Sequence, residues 1–279
     1  MKHVDHSIQN CAREGWLPQG IPDRSSAIRL FCFHHAGGNA IVFRSWQPLL
    51  AQAIHVCAVE LPGHGTRMRE APSRSMADLV DGLVQALAPW LTMPFSFFGH
   101  SMGAALAFEL THRLQARHTI RPECLFVSGC RAPGRPMPPA IHGLPEHLFI
   151  EKIRGYSGTP DEVFSHAELL AELLPMLRAD FAVIETRPHV ARSPLDCPLV
   201  AFGGLDDSTV SSEDLIAWGD CTSAHFSMRM FAGDHFYLNR SRVELLQAIA
   251  SHLLDSTGEP AAHRRAQPHA RAVEGGRAQ

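Results

Sequence analysis

Six short apolar runs, separated by stretches with helical periodicity, constrain this fold more than any other feature; they fall at residues 28–33, 55–61, 95–98, 124–127, 199–202 and 226–231. Runs this short and this continuously apolar describe strands buried on both faces. Such strands belong to parallel sheets covered by helices. The segments between them supply helices: Ser75-Met-Ala-Asp78 offers an N-terminal cap ahead of Leu79, Val80, Leu83, Val84 and Leu87, and Leu106, Leu110 and Leu114 recur after Gly103. The expected fold class is therefore α/β, with a mostly parallel central sheet flanked by helices.

With 279 residues, 45% of them hydrophobic and 19% charged, the chain can bury one substantial core. A single domain over residues 27–255 is expected. Residues 1–26 and 256–279 are expected to be poorly ordered tails, the second being rich in Ala, Arg, Gly and Pro without apolar periodicity. The alternation breaks after Cys130, and residues 131–195 are expected to form a helical insertion over the sheet. Within it, Thr159-Pro160-Asp161-Glu162 and Ser165-His166-Ala167-Glu168 both have the pattern of a capped helix start. The second expected helix carries Leu169, Leu170, Leu173, Leu174 and Leu177, and Pro175 is expected to kink or restart it.

The net charge of −3 gives no basic footprint, which argues against nucleic acid or an anionic membrane surface as partner. No uncharged apolar run approaches the ~20 residues of a membrane span, and the first residues lack a leader pattern. Seven cysteines show no zinc spacing, and Cys32, Cys57, Cys124 and Cys197 lie in or beside apolar runs, as small hydrophobes do. The eighteen histidines include no His-Glu-x-x-His. No metal or cofactor, no membrane association and a reduced cytoplasmic location are expected.

Gly99-His100-Ser101-Met102-Gly103 has the Gly-x-Ser-x-Gly pattern, with an apolar run directly before it and a strong helical segment directly after. A sharp strand-to-helix turn of this kind exposes a serine hydroxyl, and small neighbours let strand and helix approach closely. Serine needs an imidazole base oriented by a carboxylate. Two acidic candidates, Asp206 and Asp207, follow the run at 199–202, and His235 follows the run ending at Phe231. Both places lie just past strand C-termini, where open α/β sheets bind ligands. An oxyanion would be held by two backbone N–H groups. Met102 offers one, and the loop His34-His35-Ala36-Gly37-Gly38 offers the other from Ala36, with Gly37 as the alternative. His34 and His35 are expected to be scaffolding.

Five blocks in order, Leu30-Phe-Cys-Phe-His-His-Ala-Gly-Gly38, Glu60-Leu-Pro-Gly-His-Gly-Thr-Arg67, Phe98-Gly-His-Ser-Met-Gly-Ala104, Leu174-Pro-Met-Leu-Arg-Ala-Asp-Phe181 and Gly233-Asp-His-Phe-Tyr-Leu238, resemble the type II (editing) thioesterases of polyketide synthase and nonribosomal peptide synthetase systems. The resemblance implies an α/β-hydrolase fold whose helical insertion is a lid over an acyl channel. It implies Ser101 as nucleophile, His235 as base and, from the Gly-x-x-Asp-x-x-Val pattern at Gly204 to Val210, Asp207 as the acid. The implied activity is hydrolysis of acyl groups from the phosphopantetheine arm of acyl or peptidyl carrier proteins, clearing stalled or aberrant intermediates. A stand-alone carboxylesterase, an acyltransferase or cyclase with the same triad, and a non-catalytic carrier-binding protein are the alternatives. Two positions depart from the family: His34 stands where proline is usual and His64 where arginine is frequent. Arg67 and Arg69 have two readings, contact with an anionic substrate arm or plain solvation.

Overall fold

The computed structural model describes residues 15–20, 27–118, 120–156, 158, 161–187 and 192–255. Six strands, β1 Ile28–Phe33, β2 Ile54–Ala58, β3 Phe95–His100, β4 Leu125–Ser128, β5 Leu199–Gly204 and β6 Phe226–Phe231, form one sheet in the order β2-β1-β3-β4-β5-β6. Every pairing in it is parallel. Their crossovers carry α1 Met76–Leu87, α2 Met102–His118, then α3 Glu146–Arg154, α4 Asp161–Ser165 and α5 Ala167–Glu185 between β4 and β5, and finally α6 Ser212–Ile216, α7 Tyr237–Arg240 and α8 Arg242–Asp255.

Apolarity on both sides of a strand is what places it between two helical layers. In β1, Phe31 and Phe33 enter the core shared with α1 and α2, while Ile28, Leu30 and Cys32 enter the one shared with α8. All six residues of β1, β3 and β5 are buried, whereas the edge strand β6 is largely half-exposed. α1 starts where its cap pattern places it, the Ser75 hydroxyl accepting from the Asp78 amide at 3.3 Å.

Three details differ from the sequence reading. β2 ends at Ala58 instead of running on to Leu61. Beyond it the chain turns so that the buried Glu60 carboxylate accepts from the amides of Ala40 (3.0 Å) and Thr66 (3.2 Å), while Val59 and Leu61 stay in the core and prolong the apolar run. At Ser165 no capping box forms: His166 is the N-cap of α5 and the Ser165 hydroxyl donates back to the Glu162 carbonyl at 2.7 Å. Of the two outcomes expected at Pro175, a restart does not occur: α5 runs unbroken through it. Leu174 and Leu177 around the proline anchor that turn in a separate apolar cluster with Ile141, Phe149, Ile153 and Leu170. Leu169 is exposed and Leu173 half-buried against that cluster.

Part of the expected N-terminal tail packs. Trp16 and Leu17 are buried in the α1 side of the core, the Trp16 carbonyl accepts from the Glu60 amide at 3.0 Å, and the Arg67 guanidinium lies 4.2 Å over the Trp16 ring. Residues 1–14 and 21–26, the segment 256–279 and the Thr159-Pro160 cap lie outside the described residues. Among the described residues no helix is long and apolar enough to cross a membrane.

Candidate active site

The C-terminal ends of β1, β3, β5 and β6 converge on one cavity of about 310 Å³. Between β3 and α2 the chain reverses at Ser101, whose φ of 54° makes it the one non-glycine residue with positive φ among the described residues. That left-handed turn is held by the Ser101 amide donating to the Ser128 carbonyl at 2.8 Å. Its flanking glycines have no room for a side chain: a Cβ on Gly99 would collide with the Gly103 backbone, and one on Gly103 with the Phe33 carbonyl. Strand and helix therefore meet at backbone distance, and Ser101 faces the cavity.

His235, in the turn after β6, and Asp207, in the turn after β5, meet at 2.7 Å between Nδ1 and Oδ2. The Asp207 side chain is buried, and its other oxygen accepts from the Thr209 amide (2.8 Å), the Thr209 hydroxyl (2.6 Å) and the Val210 amide (3.1 Å). Burial pushes the Asp207 pKa up, but the hydrogen bonds and charge of His235 and the Thr209 donors outweigh it and hold the carboxyl below its usual range. Asp206 is exposed, and its amide donates to the Gly233 carbonyl at 2.9 Å. Of the two adjacent carboxylates, Asp207 thus lies against the imidazole and Asp206 in solvent.

Of the two candidate donors in the loop after β1, the Gly37 amide is committed to the Asp180 carboxylate of α5 at 2.7 Å, while Ala36 lines the cavity with Ser101 and His235. Met102, at the start of α2, is fully buried next to Ser101. His34 is buried with Nδ1 2.9 Å from the His35 carbonyl, and the His35 ring packs edge-on to Phe236 at 4.9 Å. Burial above all, then neighbouring histidines, pulls the His34 pKa well down and that of His35 to about 4, so both are neutral near pH 7.

A layer that the sequence reading missed lies beneath these residues. His100 is buried with Nδ1 2.8 Å from the Ser128 hydroxyl, which is 2.6 Å from the Tyr237 hydroxyl; the His100 ring sits 5.0 Å from that of His235. Burial chiefly, with the charge of His235, keeps the His100 pKa well below its ordinary value. Thr209 is also new: its hydroxyl lies 3.1 Å from His235 Nδ1 while donating to Asp207, and its carbonyl takes two hydrogen bonds from Arg131 at 2.6 and 3.1 Å. A threonine two residues after an aspartate is a common side-chain turn, and that spacing was the available signal. Arg67 is corrected: neither solvated nor free for substrate, it is buried and bound to Glu70 at 2.6 and 2.7 Å. Arg69 is exposed.

The roof of the cavity is the helical insertion, which supplies Ile153, Tyr156, Leu177 and Phe181. A largely apolar enclosure, with Arg131, Glu185 and Arg187 also in its lining, that ends at a serine, a histidine and a buried carboxylate fits an acyl chain presented at its carbonyl. Among the described residues no group of three or more metal-binding side chains occurs.

The sheet order, the left-handed Ser101 turn and the lid-covered cavity define an enzyme of the α/β-hydrolase fold. The thioesterase domain model matches residues 28–257, and the chain belongs to the thioesterase family. It is 37% identical to thioesterase PikA5 of Streptomyces venezuelae over 93% of this chain and 92% of that protein. RedJ, a thioesterase of the prodiginine biosynthetic pathway in Streptomyces coelicolor, superposes with a TM-score of 0.77 at 37% identity, covering 86% of this chain and 93% of RedJ. A further relative, 42% identical over 85% of this chain and 92% of its own length, is named linear gramicidin dehydrogenase LgrE, from Brevibacillus parabrevis. Its name differs from the thioesterase reading, which here rests on the family match and on the site itself.

Proposed function

We propose that this chain is a type II editing thioesterase that hydrolyses acyl groups from the phosphopantetheine arm of acyl or peptidyl carrier proteins. The observation that carries the reading is the contact between His235 Nδ1 and the buried Asp207 carboxylate at 2.7 Å, beside a serine held at φ 54° in a lid-covered cavity. In the proposed mechanism, Ser101 Oγ attacks the thioester carbonyl and His235 Nε2 takes its proton. Asp207 holds the ring through Nδ1–H and stabilises the imidazolium. The amides of Met102 and Ala36 donate to the oxyanion. Collapse of the tetrahedral intermediate breaks the C–S bond, and His235 returns the proton to the departing pantetheine thiolate. Water, deprotonated by His235, then attacks the acyl-serine; its collapse releases a free acid and restores the Ser101 hydroxyl.

This chemistry calls for no metal or cofactor, since the phosphopantetheine arm arrives with the substrate. Carrier domains work in the cytoplasm, where we place the chain. Hydrolysis of one acyl group offered as carrier-bound thioester, as pantetheine thioester and as simple ester tests the proposal. Highest kcat/KM on the carrier-bound form is expected, with free acid as product even when an alcohol or amine is added. Preference for the ester would identify a carboxylesterase, and transfer to the added nucleophile an acyltransferase or cyclase. Carrier binding without turnover would identify a binding protein.

A further inference from the structure

Two of the family-like blocks, Glu60 to Arg67 and Leu174 to Phe181, are far apart in sequence and contain no member of the triad. The fold joins them at a single oxygen. Asp180, on the lid helix α5, is buried among apolar neighbours, and its Oδ2 accepts from the Gly37 amide at 2.7 Å and from His64 Nε2 at 2.9 Å. The other ring nitrogen of His64 lies 3.0 Å from the Pro62 carbonyl. A carbonyl and a carboxylate only accept, whereas a neutral imidazole carries one N–H, so both contacts are satisfied together only by the imidazolium. His64 and Asp180 thus form an ion pair whose side chains are 2% and 3% exposed.

The Gly37 amide belongs to the loop that carries Ala36. We propose that Asp180, held in place by protonated His64, is a positioning residue for the oxyanion loop, so that seating the lid helix and aligning the Ala36 amide are one event. The proposal rests on the reading of Ala36 as an oxyanion donor. Turning the Gly37 N–H toward α5 fixes the peptide that follows Ala36, and the loop is further constrained by the Gly38 amide donating to the His35 carbonyl at 2.9 Å. Leu177, one turn before Asp180 on α5, packs against Gly37 itself. If α5 lifts, the loop loses its acceptor and its packing together.

The charged and titratable groups around His64 come from three elements: Asp180 from α5, Glu60 and Arg67 from its own turn, and the neutral His34 and His35 from the loop after β1, with the His34 ring 4.7 Å away. Burial pulls the His64 pKa down, but the hydrogen bond and charge of Asp180, the Pro62 carbonyl and the charge of Glu60 together raise it above its ordinary value. A raised folded pKa means that the contribution of the pair is complete below the unfolded value, about 6.5, and is lost as pH rises through the folded one.

Steady-state kinetics on an acyl-pantetheine thioester across pH, with melting temperatures, for Asp180→Ala, Asp180→Asn, His64→Arg and Ser101→Ala test the proposal. Asp180→Ala is expected to lower kcat by about ten- to a hundredfold with KM within about threefold, as misaligned oxyanion donors do. Asp180→Asn keeps a carbonyl oxygen for the Gly37 amide and is expected to recover most of that loss near neutral pH. His64→Arg cannot deprotonate, so its kcat is expected to persist to higher pH than the wild type's. Wild-type kcat in folded Asp180→Ala overturns the proposal, as does Asp180→Asn impaired equally with KM rising in parallel. Identical alkaline limbs in the wild type and His64→Arg overturn it even if Asp180→Ala does not fold. Turnover surviving in Ser101→Ala would instead overturn the proposed mechanism.

Discussion

Gly129 lies between the two histidine rings of the site, and replacing it by alanine converts a backbone argument into a measurable loss. Its φ is 56°, and its amide donates to the Phe202 carbonyl at 2.9 Å, so the left-handed conformation is locked at the end of β4. An alanine there costs about 1–2 kcal/mol for the left-handed backbone alone. The added Cβ would also lie 2.7 Å from His100 Cε1 and 3.2 Å from His235 Cε1. Carbon atoms sit comfortably at roughly 3.5–4.0 Å, so His100 has to retreat by about 1 Å and His235 by a few tenths of an ångström. His100 is held by the Ser128 hydroxyl at 2.8 Å and has little freedom to move. Misplacement near 1 Å costs about a hundredfold, and a shift of a few tenths of an ångström at His235 against a displaced His100 sets an expected fall in kcat/KM of about tenfold. Gly134 is the control: its φ is 86°, with no atom within 4 Å of an added Cβ. Gly134→Ala is expected to lower the melting temperature by about 2–8 °C, from ~1–2 kcal/mol at 2–4 °C per kcal/mol, and to leave kcat/KM unchanged. Both variants are assayed by thermal denaturation and by hydrolysis of an acyl-pantetheine thioester. Equal kcat/KM in Gly129→Ala and Gly134→Ala would refute the steric reasoning.

Asp207→Asn is expected to lower kcat by about 10⁴-fold by presenting the wrong partner to His235 Nδ1, while Asp206→Asn stays within about twofold; the reverse order would move the acid to Asp206. Because the folded Asp207 pKa is depressed, its contribution to stability is present above about pH 3.9 and lost as pH falls through the lower folded value. Acid thermal denaturation is therefore expected to be less steep in Asp207→Asn than in the wild type. Burial pushes the thiols of Cys57 and Cys197 up to about 12, so iodoacetamide near pH 8 should leave both unmodified until denaturant is added, as read by peptide mass spectrometry. Phe181→Ala opens the roof of the cavity, and the ratio of kcat/KM for a long over a short acyl thioester is expected to rise by about tenfold; an unchanged ratio would place the chain elsewhere.

The sheet was legible because a strand buried on both faces leaves a local trace, an unbroken apolar run, and each of the six runs contains the body of a strand. Where that trace misleads, a tertiary contact explains it. Val59 and Leu61 remain buried after the ladder ends because Glu60 between them turns inward to the amides of Ala40 and Thr66. Ser101 was legible because its turn needs glycines at fixed offsets. Asp206 and Asp207 were indistinguishable locally, since adjacent side chains differ only in where the rest of the chain brings His235. Asp180 carries a readable sign: one carboxylate three residues from Leu177 on an apolar helix face implies a buried partner. That its partners are Gly37 and His64 depends on how α5 crosses the sheet, which no local pattern encodes.

The most direct test of the central claim is the intact mass of the protein mixed rapidly with an acyl-pantetheine thioester, followed by mapping of the modified peptide. An adduct of the acyl mass on the peptide containing Ser101, absent from Ser101→Ala and slow to clear in a His235 variant, is the expected result. Undiminished hydrolysis by Ser101→Ala, or an acyl adduct carried by another residue, would contradict it.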